Sequence, residues 1–372
     1  MGRARVNSVV AGLAILLAGC TPGAPPSAVE RERPEVREEA TRVERPARPI
    51  TLAFAGDIHF QLHLAALLDK PDATLGPSGR ALATADVAMV NLESAITDRG
   101  VPDPKALEDS WDRYWFRAPA SALDVLARSG VDVVGVANNH GADYGPIGVR
   151  DTLRAERRAP LSVVGIGRDR RQAFTPHRTT VKGVTLAFFA ADASPLESTE
   201  SVWRAGPRSP GLADAHEPRP SALLAAVRKA ARAVDIVVVY LHWGQELQAC
   251  PTRDQRTTAR ALARAGADVV VGSHAHVLLG SGWMRGAYVS YGLGNFVWYH
   301  NHQPETGVLR LRVEEGEVVS DEWVPAEIGI WGRPVPLSGA RRKAAVADWQ
   351  ALRGCAGLHD RPTVGPIPSA AR

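Results

Sequence analysis

The sequence predicts an α/β domain with buried sheets, and two observations indicate it. Between residues 50 and 330, apolar runs of strand length alternate with stretches in which apolar residues recur at spacings of three and four. Hydrophobic residues make up 45% of the 372 residues, which is enough for a large core in one or two domains. We therefore expect an ordinary globular protein whose sheets are covered by helices.

The predicted elements follow one another along this region. A hairpin is predicted where residues 307–313 and 318–325 flank the turn Glu314-Glu315-Gly316-Glu317. Helices are predicted at residues 120–128, 146–158, 221–234 and 252–265. Strands are predicted at residues 50–55, 87–92, 131–137, 161–166, 184–190, 236–241, 268–271 and 287–291.

The first twenty residues have the pattern of an export signal. Arg3 and Arg5 precede an apolar run at residues 9–18, which is too short for a comfortable membrane span. The following Leu17-Ala18-Gly19-Cys20 resembles the lipobox of bacterial lipoproteins. This resemblance implies that Cys20 is lipidated and that the chain is anchored to the membrane, outside the cytoplasm, in the cell envelope. The alternative is a plain secretory signal with an incidental cysteine.

The segments on either side of the domain differ from it in composition. Residues 21–49 are rich in Pro, Glu and Arg and have almost no large apolar side chains, so they cannot offset the entropy of ordering and predict a solvated, disordered tether. Residues 50–330 form the predicted domain, and residues 331–372 form a C-terminal extension. Export leaves Cys250 and Cys355, between which a disulfide is one alternative.

The charge balance argues against one class of partner. Lys and Arg number 44 and Asp and Glu number 40, which leaves a formal net charge of only +4. No long basic block stands out in the sequence. We therefore expect no nucleic-acid partner.

Side chains that commonly bind metals follow nearly every predicted strand. Because the carboxyl ends of parallel strands share one edge of a sheet, we expect these groups to converge on one site. They are imidazoles, carboxylates and amides with no thiol, a set that suits Zn, Mn or Fe. In chain order they are Asp57, His59, Asn91, Glu93, Asn138, Asn139, His140, His242, Gln245, Glu246, His274, His276 and Asn295.

The spacing of two pairs supports this convergence. Asp57-x-His59 and His274-x-His276 place both partners on the same face of an extended backbone. Gly56 would permit a sharp turn and a close approach of the backbone, as would the glycine before Ser273. Each fragment is weak alone, since an Asn-Asn-His can cap a helix and a single histidine can be a hydrogen-bonded core residue. Five such fragments, each at the end of a successive strand, are much stronger evidence for a single metal site than any one fragment alone.

The order of these fragments resembles that of the calcineurin-like metallophosphoesterases. More closely, the chain is similar to the CapA family, which is associated with bacterial poly-γ-glutamate capsule synthesis. The resemblance implies a metallophosphoesterase-like αββα sandwich with a metal site at the strand ends. It spans about residues 50–298 and rests on the segments GDIHF, NLESAIT, WFRAP, GVANNHGADYG, LHWGQE, AGADVVVGSHAHV and SYGLGNFVW.

The resemblance also implies roles for individual residues. His140 would act beside the metals as a general acid or as a stabiliser of the transition state. Glu93 stands where the wider phosphoesterase group usually has aspartate, which leaves the number of metals open, whereas the retained His59 favours metal chemistry. The implied ligands of divalent ions, two of them on the family pattern, are Asp57, His59, Glu93, Asn139, His242, His274 and His276.

Four further residues are expected to support this set. Asp143 either orients His140 or caps the helix that starts near Pro146, and we favour the cap. Trp243 and Glu246 are expected to hold His242 in place, because a metal-bound imidazole needs its other nitrogen held; Trp243 is alternatively a wall for the substrate. Asn295 is assigned a similar supporting role.

Three functions fit these features. The first is a metal-dependent hydrolase that acts on a phosphoester or on an envelope polymer. The second is a non-catalytic accessory protein that binds growing poly-γ-glutamate in a capsule synthesis complex at the membrane, with arginines such as Arg113, Arg117, Arg204 and Arg208 as candidate contacts for carboxylates. The third is a protein that binds metal only for stability.

Overall fold

The computed structural model describes residues 48–111, 113–197, 203–216 and 220–362. The predicted signal segment at residues 1–20, Cys20 and residues 21–47 of the predicted tether lie outside the described residues, as do residues 363–372. Among the residues that are described, no helix is both long and apolar enough for a bilayer crossing.

The described residues form eighteen strands and eight α-helices. The helices are α1 (Arg80–Ala83), α2 (Ser121–Arg128), α3 (Gly145–Glu156), α4 (Arg170–Ala173), α5 (Ser221–Ala231), α6 (Arg253–Ala265), α7 (Gly339–Ala351) and α8 (Arg353–Ala356). The strands are β1 (Ile50–Ile58), β2 (Val87–Leu92), β3 (Ala95–Ile96), β4 (Arg117–Ala118), β5 (Val133–Gly135), β6 (Ser162–Val164), β7 (Ile166–Gly167), β8 (His177–Val181), β9 (Val184–Ala193), β10 (Gly211–Leu212), β11 (Ile236–Trp243), β12 (Val269–His274), β13 (Ser281–Met284), β14 (Ala287–Ser290), β15 (Asn295–Val297), β16 (Glu305–Glu314), β17 (Glu317–Ile328) and β18 (Pro334–Pro336).

Local sequence explains why these segments form. Strand β11 reads IVVVYLHW and is buried at every residue, as a central strand covered on both faces requires. Helix α6 starts with a capping box in which Thr252 and Gln255 satisfy each other's backbone amides, and it ends at Gly266 in the left-handed conformation. Both ends of the helix are therefore determined by nearby residues.

Two large sheets make up the centre of the fold. The first has the strand order β18-β17-β16-β1-β2-β5-β6, and β15 pairs with the end of β1. The second has the order β13-β14-β12-β11-β9-β8. Within the first sheet, β1, β2, β5 and β6 are parallel, and within the second, β9, β11, β12 and β14 are parallel. Helices lie between successive parallel strands, except that β13 lies between β12 and β14.

The sheets pack against each other and carry helices on their outer faces. Strand β1 contacts β12 and β5 contacts β9, and the Tyr240 hydroxyl donates to the Ala55 carbonyl across the interface at 2.9 Å. Helix α1 packs on β1 and β2, while α5 and α6 pack on β11 and β12. This is the predicted αββα sandwich. The eight predicted strands, the four predicted helices and the β16–β17 hairpin are all confirmed in type and place.

The ends of the parallel strands bring distant residues side by side. In the register of the first sheet, Asp57 lies between Asn91 of β2 and Asn295 of β15. Gly56 permits this arrangement, because a Cβ atom there would lie 1.8 Å from the Gly294 carbonyl oxygen. In the second sheet, Trp243 at the end of β11 lies beside His274 at the end of β12.

The C-terminal extension is folded onto the domain as far as it is described. Helix α7 packs on β17, and Trp349 stacks on Trp323 with ring centroids 5.4 Å apart. A disulfide joins Cys250 to Cys355, with Cα atoms 5.6 Å apart, so the alternative of a bond between these cysteines is confirmed.

The disulfide closes a loop of 105 residues and should contribute to stability. In the chain-entropy model, a loop of this length is worth about 4 to 5 kcal/mol, because the cross-link restricts the unfolded chain. We expect the double variant Cys250→Ser/Cys355→Ser to lose free energy of unfolding of this order in a urea titration. The reduced wild-type protein should unfold at the same urea concentration as the variant. Equal midpoints for the oxidised wild type and the variant would contradict this expectation.

Candidate metal centre

The first group of the site is built around Asp57, which is fully buried at the end of β1. Its Oδ1 atom accepts a hydrogen bond from the Asn91 amide at 2.8 Å, and its Oδ2 atom accepts one from the His274 backbone at 3.0 Å. The same Oδ2 lies 3.9 Å from Nδ1 of His276. Burial raises the pKa of Asp57, and the neighbouring His276 opposes this. Asp57 thereby connects the ends of both sheets.

His242 lies at the centre of the cluster, as predicted. Its Nε2 atom is 2.8 Å from the amide oxygen of Asn139, 3.2 Å from Nδ1 of His274 and 3.8 Å from Oε1 of Glu93. Its Nδ1 atom lies 3.3 Å from the Asn91 amide and 3.2 Å from the Ser273 hydroxyl. Burial, and then the nearby His274, hold the pKa of His242 well below its ordinary value. A neutral imidazole is the form that binds metals.

His274 and His276 reach the cluster by a route that differs from the predicted one. The sequence analysis assumed extended backbone, but their φ angles are 90° and 57°, in the left-handed region that residues with a side chain rarely adopt. The prediction of an extended pair was therefore wrong, although the two rings do lie near each other, with centroids 5.9 Å apart. Backbone strain of this kind is typical of functional sites. Asn295 holds His276 through its amide oxygen, 2.8 Å from Nδ1.

Glu93 has the most unusual environment in the cluster. It is fully buried, and neither carboxylate oxygen has a hydrogen-bond partner among the described residues. Burial, and then repulsion from Asp57, raise the pKa of Glu93 well above its ordinary value. The Nε2 atom of His274 is likewise buried without a partner in this part of the chain. Unpartnered buried groups of these types are what a bound cation would satisfy.

The donor atoms also lie close enough together to hold metal ions. In one group, Asp57, Glu93 and His276 offer ligand atoms within 4.8 Å of one another, and in another, Glu246, His274 and His276 do so. Carboxylates and imidazoles fit a divalent transition metal in a mixed oxygen and nitrogen site. Glu246 was expected only to support His242, but its carboxylate groups with the two histidines instead.

His140 lies beside the cluster with one nitrogen held. Its Nδ1 atom is 2.6 Å from Oδ2 of Asp143, and its Nε2 atom is 3.7 Å from Oε1 of Glu93. Asp143 was expected to cap the next helix, but α3 begins at Gly145 and its N-cap residue, Tyr144, makes no side-chain cap. The capping interpretation was therefore wrong, and the alternative that Asp143 orients His140 matches the geometry. Burial raises the pKa of Asp143 to about 7 against the opposing effect of Lys105.

Two predicted residues lie in other surroundings. His59 stacks on Phe116 with ring centroids 4.6 Å apart, and its Nδ1 atom accepts from the Gln61 backbone at 3.0 Å, so it is not brought into either metal group. The Trp243 indole donates to the Tyr291 carbonyl at 2.9 Å. Since neighbouring strand residues point to opposite faces, Trp243 faces away from His242, and Asn91 and Ser273 contact that imidazole instead.

Sequence reasoning missed two charged residues of this site, Lys105 and Glu197. The Lys105 side chain is only 2% exposed and lies 3.1 Å from Oδ1 of Asp143. Glu197 accepts a hydrogen bond from the Asn139 amide nitrogen and forms an ion pair with Lys105. Both residues lie on loops outside any periodic pattern, so no signal in the sequence marked them.

A cleft of about 210 Å³ gives access to these groups. Its walls combine polar groups of the site with aromatic side chains. They include Lys105, Phe116, Asn139, His140, Glu246, His276, Trp298 and Tyr299.

Metal binding should stabilise the protein through Glu93. We expect Mn²⁺ to raise the free energy of unfolding of the wild type by about 2.7 kcal/mol at 100 times its Kd. Glu93→Gln should lose most of this gain, while the metal-free variant should be at least as stable as the metal-free wild type, because an unpartnered buried acid is removed. Thermal unfolding with Mn²⁺ and with chelator measures both effects. The exposed Glu317→Gln is the control, and an equal gain in Glu93→Gln would exclude Glu93 as a ligand.

The chain is similar to known proteins over most of its length. Residues 51–300 match the family model described as bacterial capsule synthesis protein PGA_cap. The capsule biosynthesis protein CapA of Bacillus anthracis is 27% identical over 80% of this chain and 72% of its own length. The PGA biosynthesis protein CapA of Bacillus subtilis is 30% identical over 67% of this chain and 63% of its own. A solved phosphatase of Mycoplasma pneumoniae covers 76% of this chain and 94% of its own at 12% identity, with a TM-score of 0.45. With 250 matched positions in its α/β sandwich, this chain belongs to the PGA_cap family of bacterial capsule synthesis proteins.

Proposed function

We propose that this chain is a metal-dependent phosphoester hydrolase that acts in the synthesis of a capsule or of poly-γ-glutamate. The observation that carries the proposal is the buried, unpartnered carboxylate of Glu93, which lies within 3.8 Å of imidazole nitrogens of both His140 and His242. A buried acid without a partner costs stability, so its presence favours a site that is completed by a cation.

The residues that would hold the metal ions are Asp57, Glu93, Asn139, His242, His274, His276 and Glu246. A bound divalent ion supplies Lewis-acid chemistry, which lowers the pKa of water and stabilises negative charge on a phosphoryl group. The predicted pair of Mn, Zn or Fe ions is compatible with the two overlapping groups, which share His276.

His140 would move the proton that the leaving oxygen requires. Asp143 holds Nδ1, so the ring presents Nε2 toward Glu93 and the cleft. Burial, and then Lys105, hold the pKa of His140 well below its ordinary value, so the ring rests neutral. It would accept at Nε2 the proton released by the attacking water and pass that proton to the departing oxygen. Phe116 stacks on the ring at a centroid distance of 4.1 Å and restricts its rotation.

The cleft restricts what part of a substrate can enter. Its volume of about 210 Å³ is small compared with the roughly 300 to 1,000 Å³ of sites that enclose a whole ligand. We therefore propose that the reacting phosphoester enters it while the rest of the substrate stays outside. An anionic polymer or a carrier that bears one would fit this arrangement.

The names of the two Bacillus relatives support a role in capsule or polymer synthesis. We propose that this chain works with other components of such a synthesis complex at the membrane. The lipobox-like segment at Cys20 supports a lipid anchor in the cell envelope, and the Cys250–Cys355 disulfide is consistent with an oxidising compartment.

Metal-dependent turnover tests the proposal directly. The purified protein is loaded with Mn²⁺, Zn²⁺ or Fe²⁺ and assayed with p-nitrophenyl phosphate, bis(p-nitrophenyl) phosphate and poly-γ-glutamate. We expect phosphoester cleavage that chelator abolishes and that the double variant His274→Ala/His276→Ala lacks. His359→Ala, which removes an exposed imidazole, is the control and should retain full activity. Binding of poly-γ-glutamate by the chelated protein without any turnover would favour the accessory, polymer-binding function instead.

The proton-transfer role of His140 has its own test. His140→Gln should lower kcat by about 10² to 10⁴, because that is the usual contribution of a positioned acid, and should leave the metal content unchanged. Steady-state kinetics and elemental analysis measure the two quantities. A variant that keeps the wild-type kcat would exclude His140 as the acid.

A further inference from the structure

Lys105 is a deeply buried lysine beside the site. It lies in the loop between β3 and β4, its side chain is 2% exposed, and its backbone has a φ of 45° in the left-handed region. Burying a lysine is costly unless the charge is paired and hydrogen-bonded. Two carboxylates, those of Asp143 and Glu197, provide that pairing.

Each carboxylate connects Lys105 to a different functional group. Asp143 contacts Lys105 through Oδ1 at 3.1 Å and His140 through Oδ2 at 2.6 Å. Glu197 pairs with Lys105 through Oε2 and accepts from the Asn139 amide nitrogen through Oε1. One ammonium group therefore supports both the proton-transfer residue and a candidate metal ligand.

The Glu197 contact determines which atom Asn139 presents. An amide has an oxygen that accepts hydrogen bonds and binds metals and a nitrogen that only donates. Because Glu197 takes the nitrogen, the oxygen is turned toward His242, 2.8 Å from Nε2. If the amide rotated, it would present N–H groups to the metal groups and could not act as a ligand.

Lys105 lines the cleft but is poorly suited to bind an anionic substrate itself. Its ammonium group already pairs with two carboxylates and lies 3.3 Å from Nδ1 of His140, and almost no surface of the side chain is accessible. Burial acts to lower the pKa of Lys105, but Asp143 and Glu197 together raise it, so the group stays charged. A permanent, enclosed charge is suited to holding neighbouring groups in place.

We propose that Lys105 is a positioning residue that holds the Asn139 amide in its metal-binding orientation through Glu197 and the His140 ring in its working orientation through Asp143. The inference rests on the proposed function, because it assigns Lys105 a role toward the metal ligands of that site. Its test is nevertheless independent of turnover.

Metal affinity and the spectrum of bound Co²⁺ measure the role of Lys105. We expect Lys105→Met to bind Mn²⁺ about 10 to 100 times more weakly in titration calorimetry, as is usual when a partner of a metal ligand is removed. The visible absorption bands of bound Co²⁺, which report the number of ligands, should change because the Asn139 oxygen is no longer held. The control is Lys182→Met, which breaks a surface pair with Asp86 and should change neither quantity.

Variants of the two carboxylates separate the two connections. Glu197→Ala should reproduce the altered Co²⁺ spectrum of Lys105→Met, whereas Asp143→Asn should lower turnover and leave the Co²⁺ spectrum as in the wild type. Lys105 acts on Asn139 through Glu197, so the effects of the two substitutions should not add. The double variant Lys105→Met/Glu197→Ala should bind Mn²⁺ no more weakly than whichever single variant has the lower Mn²⁺ affinity. Circular dichroism establishes which variants are folded, and Glu197→Ala, whose side chain is 14% exposed in the wild type, tests the inference even where Lys105→Met does not fold.

The outcomes distinguish this inference from the proposed function. Wild-type Mn²⁺ affinity and an unchanged Co²⁺ spectrum in folded Glu197→Ala and Lys105→Met would overturn the role of Lys105 and leave the proposed hydrolase untouched. If Lys105→Met had a lower melting temperature but an unchanged Co²⁺ spectrum, the lysine would be purely structural, and the proposed positioning role would also be overturned. If the wild-type protein bound neither Mn²⁺ nor Co²⁺, both the proposed hydrolase function and the positioning role of Lys105 would be overturned.

Discussion

Asp57 and Glu93 are two carboxylates buried at the ends of neighbouring parallel strands, and much of the surrounding structure depends on that burial. Removing a charged group from water costs several kcal/mol unless other groups compensate for it. Asp57 accepts two hydrogen bonds, whereas neither carboxylate oxygen of Glu93 has a hydrogen-bond partner among the described residues. The same burial keeps His242 and His274 neutral, since it lowers the pKa of each ring. Buried acids thus face imidazoles that carry no charge, and a divalent cation would supply the positive charge that this cluster lacks.

Much of this arrangement could be predicted because the fold itself follows simple rules. Apolar runs of strand length alternate with helical periodicity, and the carboxyl ends of parallel strands share one edge. Polar residues that follow such strands must therefore meet, whatever their separation in sequence. Asp57, Glu93, His242 and Asn295 were all placed in this way, and the structure brings them together.

The errors concern contacts that depend on tertiary structure. Asp143 lies two residues before a helix, so local statistics favoured a cap, yet a histidine three residues earlier turns back to meet it. His59 follows the expected motif, but the aromatic rings of Phe116 and Trp298 surround it. Lys105 and Glu197 meet only because two long loops converge, and no periodic pattern describes a loop. Residues at or just beyond the ends of strands were predictable, whereas Lys105 and Glu197, which lie further along long loops, were not.

The left-handed backbone of His274 and His276 has a consequence for how this chain could change over time. Glycine adopts that conformation without a steric cost, so at both positions it would relieve strain that the histidines impose. Selection for thermal stability alone would therefore favour glycine over histidine at positions 274 and 276. The fold would become more stable, but two candidate metal ligands would be lost. The retention of histidine at these two positions is consistent with the proposed metal site, for which the chain would give up some stability.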